Sequence, residues 1–180
     1  MANITEVKAI VLLKKYAPDE HVCDIVLRHV KAVEKVATRI ALQCKNVDLE
    51  FVKTAALLHD IGRFKTGKGK HGINHGIIGA EILRNEGLDE RYALVCERHI
   101  GVGIRKKDVV EQKLPLPEQD FVPETNEEKI IAYADNLAEG KECRIVEEKD
   151  IVERYRKELG EEHAKRVIKF HDDINQRLKH

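Results

Sequence analysis

The sequence predicts an all-α fold, arranged as a single compact domain of about seven or eight helices. Apolar residues recur with a period close to 3.6 along most of the chain, whereas the alternation that is typical of β-strands is almost absent. The chain has 180 residues, which is long enough to bury one hydrophobic core, and it shows no internal repeat and no signal for a domain boundary. We therefore expect one domain over residues 1–180.

Start and stop signals place the helices of the first half of the chain. The predicted helices cover residues 4–16, 19–45, 48–62 and 74–85. Pro18 ends the first helix, Asp48 caps the third, and Gly62 and Gly87 end the third and the fourth. The glycine-rich, basic segment that follows Gly62 is predicted to be a loop.

The second half of the chain combines four further helices with one long loop. The predicted helices cover residues 89–99, 125–140, 150–159 and 161–178. Thr125 and Glu128 form a capping box at the start of one of them, and Gly140 ends it. Residues 100–124 contain three prolines and are predicted to be a loop, whose length in so small a protein is often a sign of function.

The overall charge predicts which large partners are disfavoured. Charged residues make up 36% of the chain, but 32 basic residues balance 32 acidic ones, so the formal net charge is zero. This balance provides no general attraction to nucleic acid or to an anionic membrane, and nucleic acid is disfavoured as a partner. The chain has no apolar run long enough to span a membrane, no signal-peptide pattern and four widely separated cysteines, so we expect a cytoplasmic protein.

Several histidines and aspartates occupy positions where core residues are expected. His29 lies four residues after Ile25 and four before Val33 on an apolar helix stripe, and Asp135 lies four residues after Ile131. A buried, unpaired carboxylate costs several kcal/mol, and a divalent metal with neutral imidazoles as co-ligands would remove that cost. Alternatively, each histidine is a hydrogen-bonded core residue and Asp135 caps a neighbouring helix. The polar residues at such positions are His29, His59, Asp60, His75, His99 and Asp135.

Five segments in a fixed order carry a family resemblance. They are RHVKAVEKVA around His29, LLHDIG at 57–62, HGIIGAEIL at 75–83, ERHIGVG at 97–103 and IIAYADNLA at 130–138. Together they resemble the HD domain superfamily of metal-dependent phosphohydrolases, which are all-helical. The resemblance covers residues 20–140, and the helices over 150–178 follow it.

The resemblance implies a dinuclear metal site. The four ligands shared by mononuclear members match His29, His59, Asp60 and Asp135. His75 and His99 match the pair that forms a second metal site, and Asp60 would then bridge two ions. Mixed imidazole and carboxylate ligands suit Fe²⁺, Mn²⁺, Co²⁺ or Ni²⁺. We expect two such ions, with Asp60, His75 and His99 contributing to catalysis.

The resemblance also implies the reaction. We expect hydrolysis of a phosphate ester or anhydride, namely a phosphodiester, cyclic phosphate or monoester of a nucleotide-like or pterin-like small molecule, by a metal-activated hydroxide. The chain lacks the GYP signature after ERHIGVG, which disfavours cyclic-di-GMP as the substrate. Two alternatives stay open: a di-iron oxygenase with the same six ligands, and a non-catalytic module that senses a nucleotide.

Basic residues near the HDIG segment are candidates for substrate contacts. Arg63 follows HDIG directly, and its guanidinium offers bidentate donors to a phosphate, so it is also a candidate catalytic residue. Lys65, His71 and Arg105 are further candidates. A second His-Asp pair, at His171, lies on a helix with an ordinary amphipathic stripe and is predicted to be at the surface. The sequence does not indicate an oligomeric state.

Overall fold

The computed structural model describes residues 3–66, 70–139 and 144–177, and it describes side chains for all of these except 70, 71, 139 and 177. The fold is all-α, as predicted. The described residues form nine α-helices, and the helix beyond the predicted seven or eight is α6. The helices are α1 Glu6–Tyr16, α2 Glu20–Ala41, α3 Leu49–Leu58, α4 His75–Asn85, α5 Glu90–Arg98, α6 Lys106–Glu111, α7 Asn126–Leu137, α8 Glu148–Leu159 and α9 Glu161–Arg177.

Side-chain caps fix the starts of most helices. The side chains of Thr5, Asp19 and Asp48 accept hydrogen bonds from the first turns of α1, α2 and α3. At the start of α7 the Thr125 hydroxyl accepts from the Glu128 amide at 3.1 Å. The Glu128 carboxylate accepts a hydrogen bond from the Glu124 backbone N–H at 2.8 Å. The predicted capping box would instead use the backbone N–H of Thr125, the next residue.

The connections differ from the predicted loops in two places. Two 3-10 helices, Ile61–Phe64 and Lys70–Asn74, lie in the glycine-rich segment after α3. The segment 100–124, predicted to be a loop, contains α6 and a β-bridge between Ile104 and Phe121. Val109 of α6 is buried against these two residues, and this small apolar cluster orders the segment.

The predicted ends of other helices differ from those in the structure. Helix α2 ends at Ala41, four residues before the predicted end, and α8 begins two residues earlier than predicted. A short antiparallel pair, β1 Ala138–Glu139 and β2 Arg144–Ile145, follows α7 and was not predicted. Gly140, predicted to end this helix, lies outside the described residues.

The core is built around the apolar stripe of α2. Val30, Val33 and Ala37 are fully buried between α2 and its neighbours α3 and α7. Burying a valine of this kind stabilises the fold by about 1.5 kcal/mol or more. A smaller cluster, centred on Ile151 and Val167, closes the interface of α8 and α9.

The inner face of α9 contradicts one prediction. His171, predicted to be at the surface, is only 2% exposed because α9 packs against α7. Its ring stacks edge-on against Tyr133, with 5.1 Å between the centroids. In the described part of the chain, no helix has the length and apolar character needed to cross a bilayer.

Candidate metal centre

The structure brings together all six histidines and aspartates that the sequence singled out. His59 and Asp60 directly follow α3, and His99 directly follows α5. These three side chains therefore lie at the C-terminal ends of two helices. His75 is the first residue of α4. His29 and Asp135 project from within α2 and α7. Five helices therefore converge on one polar centre inside an otherwise apolar interior.

The Asp60 carboxylate lies between two pairs of histidines. Its Oδ1 atom is 3.1 Å from His75 Nε2 and 3.5 Å from His99 Nε2. Its Oδ2 atom is 3.5 Å from His29 Nε2 and 4.0 Å from His59 Nε2. Each carboxylate oxygen thus faces one histidine pair, which is the arrangement of a bridging ligand.

Asp135 completes the set on the side of His29 and His59. Its Oδ1 atom is 2.9 Å from His29 Nε2 and 3.5 Å from His59 Nε2. His29, His59 and Asp135 can each offer a ligand atom such that the three atoms lie within 4.8 Å of one another, and the same holds for His59, Asp60 and His99. Two overlapping groups of this kind could hold metal ions.

Backbone carbonyls orient three of the four imidazoles. In each, the Nδ1 atom lies within hydrogen-bond distance of a carbonyl oxygen three residues earlier: His59 with Ala56 at 2.7 Å, His75 with Gly72 at 2.5 Å, and His99 with Cys96 at 2.8 Å. A ring that donates from Nδ1 presents the lone pair of Nε2 to the centre, as metal-binding histidines do.

Among the described side chains of this centre, one buried nitrogen makes no hydrogen bond. His59 Nε2 is inaccessible to solvent and makes no hydrogen bond within the described chain. A buried polar atom without a partner costs about 1–3 kcal/mol, so such an atom calls for an explanation. A cation held between His59 and the two carboxylates would satisfy it, and the donor set therefore fits a divalent transition metal.

The centre is poised to hold positive charge. Burial on its own would raise the pKa of Asp60, but His59 and the hydrogen-bonding His75 and His99 hold that pKa well below its usual range. The pKa of Asp135 is likewise lowered, against the effect of burial, by His29 and His59. Burial lowers the pKa of His99 to about 4. At neutral pH, both carboxylates are ionised and the His99 ring is neutral.

Arg63 is the cationic partner of Asp60. Its Nε atom donates to the two carboxylate oxygens of Asp60 at 3.1 and 3.2 Å. Arg63 lies three residues after Asp60, which is one helical turn. The sequence made Arg63 a candidate for a substrate contact but did not predict this ion pair. The Arg63 side chain is 47% exposed, and it also lines the cavity beside this candidate centre.

The other predicted substrate contacts are not brought to the centre. Lys65 is exposed and is absent from the described lining of the cavity. Arg105 lines a different cavity, together with Lys129 and Phe170. The side chain of His71 lies outside the described residues.

The cavity beside the centre includes residues that the sequence did not reveal. It has a volume of about 330 Å³, and one wall is formed by His29, His75, His99 and Asp135. Asn136 lines it as well, and its position directly after Asp135 was the only available signal. Arg154 and Tyr155 come from α8, beyond the segments that carry the family resemblance. No pattern in the sequence marked these two residues.

Comparison with protein families identifies the class. The model of the HD domain family matches residues 26–140, which include His29, His59, Asp60, His75, His99 and Asp135. The chain therefore belongs to the HD domain family. This family membership agrees with the all-helical fold and with the His/Asp clusters described above.

Relatives from three organisms match nearly the whole chain. An uncharacterized protein of Methanocaldococcus jannaschii is 46% identical over 178 residues, which are 96% of this chain and 98% of that protein. The tRNA (cytidine(56)-2'-O)-methyltransferases of Picrophilus torridus and Thermoplasma volcanium are 42% and 41% identical, over 91% and 87% of this chain. The match covers 48% and 47% of those two enzymes, so this chain spans about half of their length.

Solved structures share the fold at low sequence identity. The HD domain of the L. monocytogenes phosphodiesterase PgpH aligns with a TM-score of 0.55 and 16% identity, over 96% of this chain and 99% of that domain. The same domain in complex with cyclic-di-AMP aligns with a TM-score of 0.56, also at 16% identity, over 91% and 92% of the two chains.

Proposed function

We propose that this protein is a metal-dependent phosphohydrolase with two divalent ions. The observation that carries the proposal is the position of Asp60, whose two oxygens each face a separate histidine pair. One ion would be held by His29, His59, Asp135 and Asp60. The other would be held by Asp60, His75 and His99.

The mixture of nitrogen and oxygen ligand atoms favours transition metals over Mg²⁺. Imidazole nitrogens and carboxylate oxygens together suit Fe²⁺, Mn²⁺, Co²⁺ or Ni²⁺ better than Mg²⁺, which prefers oxygen ligands alone. When bound, divalent ions of this kind make water a better nucleophile at neutral pH and neutralise charge on phosphoryl oxygens. The protein contributes the fixed geometry, because three of the rings are locked by backbone carbonyls.

The side chains around the centre suit an anionic substrate. Asp60 stays ionised at neutral pH because the neighbouring histidines hold its pKa low, so it can serve as a bridging ligand throughout turnover. Arg63 orients Asp60 through its Nε atom and also lines the cavity. A guanidinium in this position can bind phosphoryl oxygens, which favours a phosphate ester.

Names of similar proteins support a nucleotide-like substrate. PgpH is called a phosphodiesterase and its HD domain binds cyclic-di-AMP, a phosphodiester of adenosine. The two half-matching relatives are named for a reaction on the ribose of a tRNA cytidine. Both names involve ribonucleotides, and we therefore propose a phosphate ester or anhydride of a nucleotide-like small molecule as the substrate.

The test is turnover of a defined panel by protein purified without oxygen. The panel contains a bis-phosphodiester and a phosphomonoester of p-nitrophenol, followed by cyclic and linear nucleotides, each with added Fe²⁺, Mn²⁺ or Ni²⁺. We expect metal-dependent hydrolysis that disappears in Asp60→Ala and persists in His21→Ala, a control at an exposed histidine of α2. Oxygen consumption by an iron-loaded protein that hydrolyses nothing would instead favour the oxygenase.

A further inference from the structure

The cavity beside the metal centre has a second wall, which α8 provides. Arg154 and Tyr155 line this wall, and Arg63 also lines the cavity, from the 3-10 helix after α3. Helix α8 begins at Glu148, beyond the residues 26–140 that match the family model. The side chains of this wall are therefore a feature of this chain and not of the matched family region.

A series of hydrogen bonds through Asn136 holds Tyr155 at the cavity beside the metal centre. The Asn136 amide nitrogen donates to the carbonyl oxygens of Gly101 at 2.7 Å and of Ala132 at 2.8 Å. Both N–H groups of the amide are used, so its oxygen is the acceptor that remains. Tyr155 donates its hydroxyl proton to that oxygen at 3.2 Å. Asn136 directly follows Asp135 on α7. These hydrogen bonds therefore connect α8 to the helix that carries a proposed metal ligand.

The close approach of α8 depends on a glycine. A Cβ atom at Gly101 would lie 2.3 Å from the Tyr155 hydroxyl, and the backbone there has a φ of +60°. Only glycine satisfies both conditions at low cost. The turn after His99 is thus shaped to receive the Tyr155 side chain.

Tyr155 in turn supports Arg154. The Arg154 guanidinium lies over the Tyr155 ring, 5.7 Å from its centroid, at the distance of a cation–π contact. Stacking on a fixed ring restricts a long side chain that would otherwise lose rotamer entropy when it binds a ligand. The arginine that lines this wall is therefore partly pre-organised.

We propose that Arg154 contacts a phosphoryl group bound in this cavity and that Tyr155 is its positioning residue. The proposal rests on the function proposed above and adds a substrate-binding residue to it. Arg63 and Arg154 would provide guanidinium donors on two walls of one cavity, while the metal centre forms a third. A planar guanidinium is suited to phosphoryl oxygens because it offers paired N–H donors.

The direct test is binding of inorganic phosphate to metal-loaded protein, measured by isothermal titration calorimetry. Arg154→Ala should weaken phosphate binding by about tenfold or more, as expected for the loss of one charged hydrogen bond. Tyr155→Phe keeps the ring but removes the bond to Asn136, so we expect a smaller loss, about threefold. Metal content and the circular dichroism spectrum should stay unchanged in both variants.

Arg156 provides a matched control on the same helix. Its guanidinium pairs with Glu153 and Glu161, both at 2.8 Å, away from the metal centre. Arg156→Ala should bind phosphate within about twofold of the wild type. If Arg154→Ala does not fold, Arg154→Gln tests the same contact with a side chain of similar length.

The outcomes separate this inference from the proposed function. Phosphate binding within twofold of the wild type in a folded Arg154 variant would overturn the role of Arg154, and so would a metal-loaded wild type that does not bind phosphate. Hydrolysis by the wild type with no change of KM in Arg154→Ala would support the proposed function and contradict the role of Arg154. Phosphate binding that depends on Arg154, in a protein without turnover, would support the subsite and contradict the hydrolase.

Discussion

The Nε2 atoms of His75 and His99 lie 3.0 Å apart, while the Nδ1 atom of each ring faces a backbone carbonyl. If both Nδ1 atoms carry protons, two neutral rings direct their lone pairs at each other. Burial lowers the pKa of His99 to about 4, which opposes a proton on the Nε2 atom of that ring. Two nitrogens bound at about 2.1 Å to one ion, at a right angle, also lie about 3 Å apart. A cation bound by both rings, as proposed above, would explain the contact.

Loss of one of these rings should remove one ion and leave the other. His75→Ala deletes a ligand of the proposed second site but leaves His29, His59 and Asp135 in place. We expect the metal content after dialysis to fall from about two to about one divalent ion per chain. Elemental analysis measures this content directly.

The control for that experiment is an exposed histidine. His21→Ala, on α2, should retain the wild-type metal content. A His75→Ala protein that still holds two ions would show that His75 is not a ligand.

The close contact at Gly62 predicts a large loss of stability on substitution. A Cβ atom at this position would lie 1.9 Å from the carbonyl oxygen of His75 and 2.6 Å from the amide nitrogen of Gly79, both in the backbone of the segment that forms α4. Because backbone atoms cannot rotate away, Gly62→Ala should lower the free energy of unfolding by more than about 3 kcal/mol. Urea denaturation of the metal-free protein measures this change.

Gly87 provides the comparison for Gly62. Its φ is +73°, but a Cβ atom there would have no neighbour within 4 Å. Gly87→Ala should cost only about 1 kcal/mol, from backbone strain alone. Equal losses in the two variants would contradict the explanation by close packing.

The ion pair between Asp108 and Arg166 predicts a pH-dependent contribution to stability. Arg166 donates to Asp108 at 2.7 Å and to the Gly103 carbonyl at 2.7 Å, which attaches α9 to α6 and to the segment before it. Burial opposes ionisation of Asp108, but the Arg105 backbone amide, Arg166 and the nearby His163 lower its pKa. A depressed carboxyl pKa adds stability above the unfolded-state value, near 3.9, and this stability is lost as the pH falls through the folded-state value.

Replacement of Asp108 should therefore matter at neutral pH and not in acid. We expect Asp108→Asn to reduce the free energy of unfolding by about 2 kcal/mol at pH 7, with a difference that shrinks toward zero below about pH 4. Urea unfolding at several pH values measures it. Glu111→Gln, which removes an exposed pair with Lys107, should change stability by less than about 0.5 kcal/mol at any pH. A constant cost of Asp108→Asn across the pH range would refute the ionic origin.

The sequence predicted those parts of the centre that lie within regular patterns. His29 and Asp135 stood out because a polar residue on an apolar stripe violates the helical period, and the fold places both at the centre. The ordered segments around the other histidines and Asp60 provided the remaining members. Helix type and order were also predicted, since they depend on local periodicity and caps.

Other features depend on tertiary contacts that no local pattern records. Tyr155 lies on α8, whose apolar spacing is the same whether or not the helix meets a metal centre. The strands after α7 are two residues each, which is too short for any alternation to appear. Helix α6 is ordered by burial of Val109 against a distant residue, Phe121, and His171 is buried only because α9 packs on α7.

The metal content of the wild-type protein, purified without oxygen and measured by elemental analysis, tests the central claim most directly. The geometry around Asp60 predicts close to two divalent transition-metal ions per chain, and the loss of both in Asp60→Ala. A wild-type protein that binds none of Fe²⁺, Mn²⁺, Co²⁺ or Ni²⁺, even when the ions are supplied in excess, would contradict the account.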